Sequence, residues 1–168
     1  MRISILAVFL IFTASVSVGM NISQGKKSRI GQTAEGFRVS ATAKKEEIAS
    51  GEPAILEIRT RNVSNSSLYL GDAGPERDYR VEIWGDTGKP ILPTEHGKAV
   101  LEGGGRVYMN LSILMKPGQV HEDTLDISRL YDISTSGNYS ITVSRKLGML
   151  KGKLIEAQSN PVHIRVSK

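Results

Sequence analysis

The stretch Lys116–Ser144, KPGQVHEDTLDISRLYDISTSGNYSITVS, carries a turn, a strand, a short helical segment and a second strand in succession. Pro117-Gly118 is a turn signal, and Gln119–Asp126 has the composition of a strand. Leu130–Ile133 has the length of one helical turn, and Gly137-Asn138-Tyr139 opens the second strand. This order predicts one corner of a β-sandwich with both flanking strands attached.

Tyr139 opens its strand directly after a turn that contains glycine. In immunoglobulin-like sandwiches a tyrosine at this place forms a tyrosine corner, in which its hydroxyl bonds back to upstream backbone. We therefore predict a structural role for Tyr139 and an immunoglobulin-like sandwich as the fold.

Alternation of apolar and polar residues predicts further strands on both sides of this corner. They cover Gly36–Ala43, Ala54–Arg61, Tyr79–Trp84, Pro90–Pro93, Val107–Met115 and Val162–Val166. The connections 62–78 and 94–106 are predicted to be long loops, and the apolar patch Leu68–Leu70 within the first is either a brief strand or a loop against an edge. No helix longer than about one turn is expected. About seven to eight short strands separated by turn residues indicate an all-β, antiparallel, immunoglobulin-like sandwich.

The first residues predict export. Arg2 precedes an apolar run over Ile3–Val18, and Ser17 and Gly19 are the pair of small residues at the expected cleavage site, so residues 1–19 are expected to be a cleaved signal peptide. The run is shorter than the about 20 apolar residues of a membrane-spanning helix. Residues 20–35 are polar and basic, as in a flexible linker, and residues 36–168 form the sandwich domain. We expect a secreted or periplasmic protein that does not insert into a membrane after leader removal.

The composition excludes several kinds of chemistry. The chain has no cysteine, so disulfides, thiol catalysis, cysteine-ligated zinc and a lipoprotein anchor are all excluded. Its 22 basic and 17 acidic residues give a net charge of +5, which is an ordinary charge for solubility. Only 5% of the residues are aromatic, whereas nucleic-acid binding favours clustered basic residues with aromatic ones between them. We therefore predict no nucleic-acid partner.

Motifs that carry catalysis or metals are incomplete in this sequence. His121–Leu125 begins like the zinc-protease motif but has leucine where the second histidine belongs. No serine lies in a G-x-S-x-G elbow, and Gly103–Gly105 lacks the lysine and helix of a phosphate loop. Asp72, Glu76 and Asp78 lie close together in the sequence, but they do not have the spacing of a calcium-binding loop. The sequence predicts no catalytic residue, metal site or cofactor, and hence no enzyme.

Asn-x-Ser sequons occur at five positions, which are Asn21, Asn62, Asn65, Asn110 and Asn138. In a eukaryotic source some of them would carry glycans. The alternative, which we favour, is that strands and turns place Asn and Ser two residues apart without any glycan.

Two features are candidates for binding. Trp84 falls on the outward side of its strand, where it is either an anchor for a partner or covered by the adjacent loop. The segment 145–153 connects the last two long strands. In variable immunoglobulin domains this connection is a recognition loop. Its basic and apolar side chains suit an acidic, partly apolar partner: Arg145, Lys146, Leu147, Met149, Leu150, Lys151 and Lys153. The alternative, which we favour, is that Lys146–Leu150 extends the hairpin and buries its apolar members.

The run Met115–Val143 contains P-G, D-I-S, Y-D and G-N-Y in order. It resembles the β-rich region that precedes the catalytic domain of deuterolysin-type metalloendopeptidases. Ser159–Val166 suits the closing strand of such modules, and the general layout is similar to proteinase inhibitors of the BsuPI type. The resemblance implies a fold and a secreted setting. It carries over no catalytic residue, because the peptidase domain has no counterpart in this chain, and a fold does not by itself determine a function.

Taken together, the sequence predicts a secreted, non-catalytic, immunoglobulin-like binding module with a protein partner. The alternative is a peptidase inhibitor or a pro-segment-like chaperone of a secreted peptidase, which the resemblance implies.

Overall fold

The computed structural model describes residues 33–103, 111–150 and 153–168. The strands are β1 Thr33–Ala34, β2 Phe37–Ala43, β3 Glu47–Ala49, β4 Ile55–Asn62, β5 Leu68–Asp72, β6 Tyr79–Gly85, β7 Leu111–Met115, β8 Val120–Asp126, β9 Gly137–Leu150, β10 Lys153–Gln158 and β11 Val162–Ser167. The helices are α1 Pro75–Asp78 and α2 Glu95–Leu101, with a 3-10 turn at Ile127–Arg129. Neither α-helix approaches the length that a transmembrane segment requires.

Two antiparallel sheets face each other. The first sheet has the order β1-β2-β4-β8. The second is built around β9, which pairs with β6 along one side and with β11 and then β10 along the other. β3 adds to β11 as a parallel strand, and β5 pairs with β7 in a separate two-stranded ribbon. This arrangement confirms the predicted all-β, immunoglobulin-like sandwich.

The core lies between the two sheets and follows the period of two that the sequence shows. Alternate residues of β2, β4, β6 and β11 are buried, and those between them face outward. Leu56 and Ile58 of β4 and Ile141 and Val143 of β9 have no exposed surface. Burying an aliphatic side chain of this size contributes roughly 1.5–3 kcal/mol, so apolar packing is the main source of stability in a chain without disulfides.

The predicted corner joins β8 to β9. The side chain of Asp126 accepts a hydrogen bond from Ser128 N at 3.0 Å, which caps the 3-10 turn. The hydroxyl of Tyr139 donates to the carbonyl oxygen of Thr135 at 2.6 Å. A bond from this hydroxyl to backbone four residues upstream is the bond that defines a tyrosine corner.

The sandwich begins earlier than predicted. β1 lies at the end of the predicted linker and pairs with β2 through the turn Glu35-Gly36. Both turn residues have positive φ, 46° and 79°, as a two-residue turn of type I′ requires. The first described strand therefore lies three residues before residue 36, where the domain was predicted to start. The predicted signal peptide and residues 20–32 lie outside the described residues.

A helix replaces much of the predicted loop 94–106. The hydroxyl of Thr94 accepts from Gly97 N at 3.0 Å, so Thr94 is the N-cap of α2. Gly97 lies against the carbonyl oxygen of Leu130, because a Cβ atom at this position would be only 2.0 Å from it. The expectation of no helix longer than one turn is thus wrong.

Three further expectations are corrected. β3 and β10 were not predicted, because β3 is only three residues long and β10 follows a basic segment. The predicted edge strand Pro90–Pro93 is reduced to two isolated bridges, Trp84 to Pro90 and Pro93 to Tyr131. Proline lacks the N–H group that a continuous ladder needs at each alternate position.

Candidate functional site

β6 has one side without a partner strand. It pairs with β9 over its whole length, and beyond it the second sheet has no further strand within the described residues. Because the peptide groups of a strand alternate in direction, Val81 and Ile83 turn theirs away from β9. Ile83 O accepts from Ile91 N at 2.9 Å, so the following turn covers only the end of this edge.

Tyr131 reaches the same edge from the corner segment. Its hydroxyl donates to the carbonyl oxygen of Val81 at 2.6 Å, and burial raises its pKa. The N–H groups of Val81 and Ile83 have no acceptor within the part of the chain that the structure describes. Among the described residues the edge therefore presents two backbone donors, whereas the carbonyl groups of Val81 and Ile83 both already accept a hydrogen bond.

A groove of about 360 Å³ runs along this edge, and we call it the β6 groove. Its floor is the strand itself. Its walls are largely apolar and come from Trp84, Pro90, Ile91, Leu101 and Tyr131. An open strand edge beside an apolar wall can accept an extended peptide, with backbone hydrogen bonds on one side and side-chain contacts on the other.

Trp84 lies on the outward side of β6, at the end of the groove. Its side chain is 44% exposed, although Pro90 bridges to it from the following turn. The next outward residues along the strand, Arg80 and Glu82, form an ion pair of 3.2 Å. A half-exposed indole beside a groove supplies apolar contact area that a partner can cover.

Arg145 was predicted to be part of a binding surface, and this prediction is wrong because the residue is completely buried. It continues the inward positions of β9, two residues after Val143. Its guanidinium donates to Asp123 Oδ2 at 2.7 Å, to Gly71 O at 2.8 Å and to Asp78 Oδ2 at 3.2 Å. These contacts fill one end of the sandwich, so Arg145 is unavailable to a ligand.

Two effects set the pKa values in this cluster, namely burial of the ionisable groups and the charge of Arg145. Desolvation raises the pKa of Asp78, and the charge of Arg145 opposes that rise without cancelling it. Desolvation also raises the pKa of Tyr79, whose ring lies 4.8 Å from the guanidinium carbon. Arg145 Nε has no hydrogen-bond partner within the described residues. The cluster is a structural link between β6, β8 and β9.

The rest of the predicted recognition segment extends the hairpin. β9 continues to Leu150, and β10 pairs back onto it from Lys153. Lys146 is exposed, and Leu147 is partly buried against the small apolar cluster of Phe37, Leu70 and Met115. The extension of the hairpin, and the partial burial of Leu147, agree with the alternative that the sequence analysis favours. The side chains of Met149, Leu150 and Lys153, and all of Lys151, lie outside the described residues.

Two of the three loop acids, Glu76 and Asp78, take part in ion pairs. Glu76 contacts His96 Nε2 and Arg129 Nη1, each at 3.2 Å, whereas Asp78 belongs to the Arg145 cluster. In residues 33–103, 111–150 and 153–168, no group of three or more acidic or histidine side chains is placed to hold a metal ion.

Asn62, one of the sequon asparagines, is fully buried. Its amide donates to Ser66 O at 2.8 Å and to Met115 O at 2.9 Å, which ties β4 to β7. Asn65 and Asn138 are exposed. Asn21 and Asn110 lie outside the described residues.

Sequence reasoning found Trp84 but not the other walls of the β6 groove. Leu101 lies on a helix that was predicted to be loop, and Tyr131 lies in the corner without a periodic pattern around it. The proline-flanked segment Pro90–Pro93 was a usable signal, since proline beside a strand indicates that the strand's ladder ends there.

The chain matches no protein-family model and no curated protein. It is similar to the crystal structure of the C-terminal domain of Wzt, with 13% identity and a TM-score of 0.51 over 86% of this chain and 80% of that one. The CARDB domain of a Pyrococcus furiosus protein, in complex with two metal ions, aligns at 11% identity and a TM-score of 0.37 over 80% of this chain and 97% of that one. A β-glucosidase from Listeria innocua in complex with isofagomine aligns at 11% identity and a TM-score of 0.42, over 79% of this chain but only 16% of the enzyme. The likeness to the Wzt domain supports the immunoglobulin-like fold and, at this identity, the fold alone.

Proposed function

We propose that this protein is a secreted, non-catalytic binding module that holds an extended segment of a protein partner in the β6 groove. The observation that carries the proposal is the outer edge of β6, where two backbone donors that have no acceptor among the described residues lie beside an apolar wall. The composition and the incomplete catalytic motifs, which led us to predict a binding module, are consistent with this role. The apolar run that follows Arg2 supports the extracellular setting.

Binding would proceed by strand addition. The N–H groups of Val81 and Ile83 would donate to carbonyl groups of the partner segment, each contributing about 0.5–1.5 kcal/mol net. Alternate side chains of an added strand point to the same face, so every second residue of the segment would contact Trp84, Ile91 or Leu101. We therefore expect the module to select short segments in which apolar residues recur at every second position.

The test uses the purified protein and a displayed library of random dodecapeptides. Enriched peptides should bind wild-type protein and should bind the variant Leu101→Glu at least tenfold more weakly, because a charge would enter the apolar wall. Leu92→Glu is the matched control, since Leu92 is also exposed, at 74%, but does not line the groove. Trp84 is the only tryptophan, so its fluorescence reports binding in all three proteins.

Hydrogen exchange provides the decisive measurement. A bound peptide should slow exchange at the amides of Val81 and Ile83, which lack acceptors within the described chain. Enriched peptides that bind Leu101→Glu and wild type equally, or that leave these two amides unprotected, would show that the groove is not the site. Inhibition of secreted peptidases stays the alternative prediction, and titrating such enzymes with the same protein tests it.

A further inference from the structure

The outer face of the first sheet places two arginines directly opposite each other. Arg38 of β2 pairs with Arg61 of β4 in the antiparallel register. Thr33 lies beyond Arg38, and Val120 lies beyond Arg61, so the four residues form one row across the sheet. All four side chains are exposed.

Neither arginine has a counter-charge. No ion pair or side-chain hydrogen bond joins Arg38 or Arg61 to another residue within the described ranges. The acid nearest in register, Glu122, lies in the next row and binds Arg59 at 2.9 Å. The row therefore carries two uncompensated positive charges between neutral neighbours.

This arrangement works against folding. Directly opposed residues of an antiparallel pair have Cβ atoms about 4.5–5.5 Å apart, and like charges at that distance destabilise the sheet. The neighbouring row shows the usual solution, because there Arg59 faces Glu122. An arrangement that costs stability on a solvent-exposed face points to a ligand that neutralises it.

We propose that Arg38 and Arg61 form a binding site for the carboxylates of an acidic protein segment. Each guanidinium is a planar fork of N–H donors that matches a carboxylate in a bidentate geometry, and two opposed forks bind two carboxylates or share one. The flat row, with Thr33 and Val120 at its ends, favours an extended acidic segment. The site lies on the first sheet, whereas the β6 groove belongs to the second, so it does not depend on the function proposed above.

The probe is a decaglutamate peptide, added to the purified full chain at low ionic strength. Arg38→Gln and Arg61→Gln should each weaken binding by about two- to fivefold, as expected for exposed charge pairs, and the double variant by about tenfold. Arg165→Gln is the matched control, because it removes the same charge from an exposed position on the second sheet. It should leave binding unchanged.

A second readout separates a binding site from a general charge effect. Without peptide, Arg38→Gln and Arg61→Gln should melt at the same temperature as wild type or about one to three degrees higher, since repulsion is relieved. With peptide, the increase in melting temperature seen for wild type should be lost in these two variants. Weakening by Arg165→Gln equal to that by Arg38→Gln would overturn the proposal. So would inorganic sulfate or phosphate that binds at Arg38 and Arg61 while decaglutamate does not.

Discussion

At the scale of single residues, Arg145 shows how a charge can be part of a core. Its guanidinium is fully buried, and two carboxylates, a carbonyl and the Tyr79 hydroxyl surround it. Removing two charges from water costs several kcal/mol per ion, and the ion pairs offset this cost only while both partners are present. The cluster thus links three strands through contacts that depend on one another.

Replacing Arg145 should therefore be far more damaging than replacing a neighbour. Arg145→Met leaves the largely buried carboxylates of Asp78 and Asp123 without their cation, which we expect to cost about 3–5 kcal/mol of unfolding free energy. Lys146→Met is the control, because Lys146 is exposed, and should change stability by less than about 0.5 kcal/mol. Urea denaturation of both variants measures the difference. Equal stabilities would show that the carboxylates relax without the arginine.

Two tyrosine hydroxyls offer a graded comparison. Tyr139→Phe removes the corner hydrogen bond, but Thr135 is exposed, so water replaces the donor and the loss should be about 0.5–1.5 kcal/mol. Tyr131→Phe leaves the carbonyl of Val81 without its donor in a buried setting, at a cost of about 1–3 kcal/mol. Thermal melting of both variants gives the order. A larger loss in Tyr139→Phe than in Tyr131→Phe would contradict this reasoning.

Counting alternate positions along a strand predicts which side chains point inward, provided that the count is continued to the end of the strand. Trp84 was placed outward by counting along its strand, and it is outward. The same count along β9 takes Tyr139, Ile141 and Val143 inward and then Arg145 as well. Arg145 was instead assigned to the basic and apolar segment 145–153 between the last two long strands. The four residues that bond to its guanidinium, Gly71, Asp78, Tyr79 and Asp123, are far from it in the chain, and no local sequence pattern indicates that they meet it.

At the scale of elements, the helix α2 is held by one close approach. The backbone of Gly97 lies against Leu130, and Thr94 adds two hydrogen bonds to the same corner, from N to Leu130 O at 2.9 Å and from its hydroxyl to Arg129 O at 2.6 Å. The helix in turn supplies Leu101 to the β6 groove. A side chain at Gly97 would separate these parts.

Gly97→Ala should displace α2 although alanine is the better helix former. The added methyl group would lie 2.0 Å from the Leu130 carbonyl oxygen, and backbone must move to relieve that contact. We expect a loss of about 1–3 kcal/mol, as for overpacking in a core. Lys98→Ala, at the next and exposed position, is the control and should be nearly neutral. Chemical denaturation gives the stabilities, and a neutral Gly97→Ala would show that the contact relaxes at no cost.

The elements that the sequence predicts well are strands in which apolar and polar residues alternate over many positions. β2, β4 and β6 match their predicted ranges to within one or two residues, because each alternates over seven or eight positions. β1 and β3 are too short to show a period. α2 has a sequence signal in Thr94 followed by Glu95, but His96 and Gly97 break any apolar face. Short elements of this kind form because tertiary contacts hold them.

At the scale of the whole molecule, two sheets without a covalent link are joined by buried polar groups as well as by apolar packing. Tyr79 of the second sheet bonds to Thr60 and Asp123 of the first, at 3.3 and 2.6 Å. On the opposite seam, the amide of Asn160 donates to Ala41 O at 3.0 Å and covers the edge of β2. The two exposed ligand surfaces proposed above, the β6 groove and the Arg38–Arg61 row, thus lie on separate sheets that hydrogen bonds hold together.

Alkaline pH should loosen that body, since burial raises the pKa of Tyr79, Tyr131 and Tyr139. Unfolded tyrosines ionise near pH 10, so above about pH 10 the unfolded state releases protons that the folded state retains. The contribution of these phenols to stability is therefore fully present below about pH 10 and is lost as the pH rises through their folded pKa values.

Urea midpoints at increasing pH should fall from about pH 10 upward, and phenolate absorbance should rise on unfolding. Tyr79→Phe, the control, removes the most strongly shifted phenol, so its midpoint should fall less steeply with pH than that of wild type. A midpoint that is constant to about pH 11 in wild type would mean that these hydroxyls ionise alike in both states.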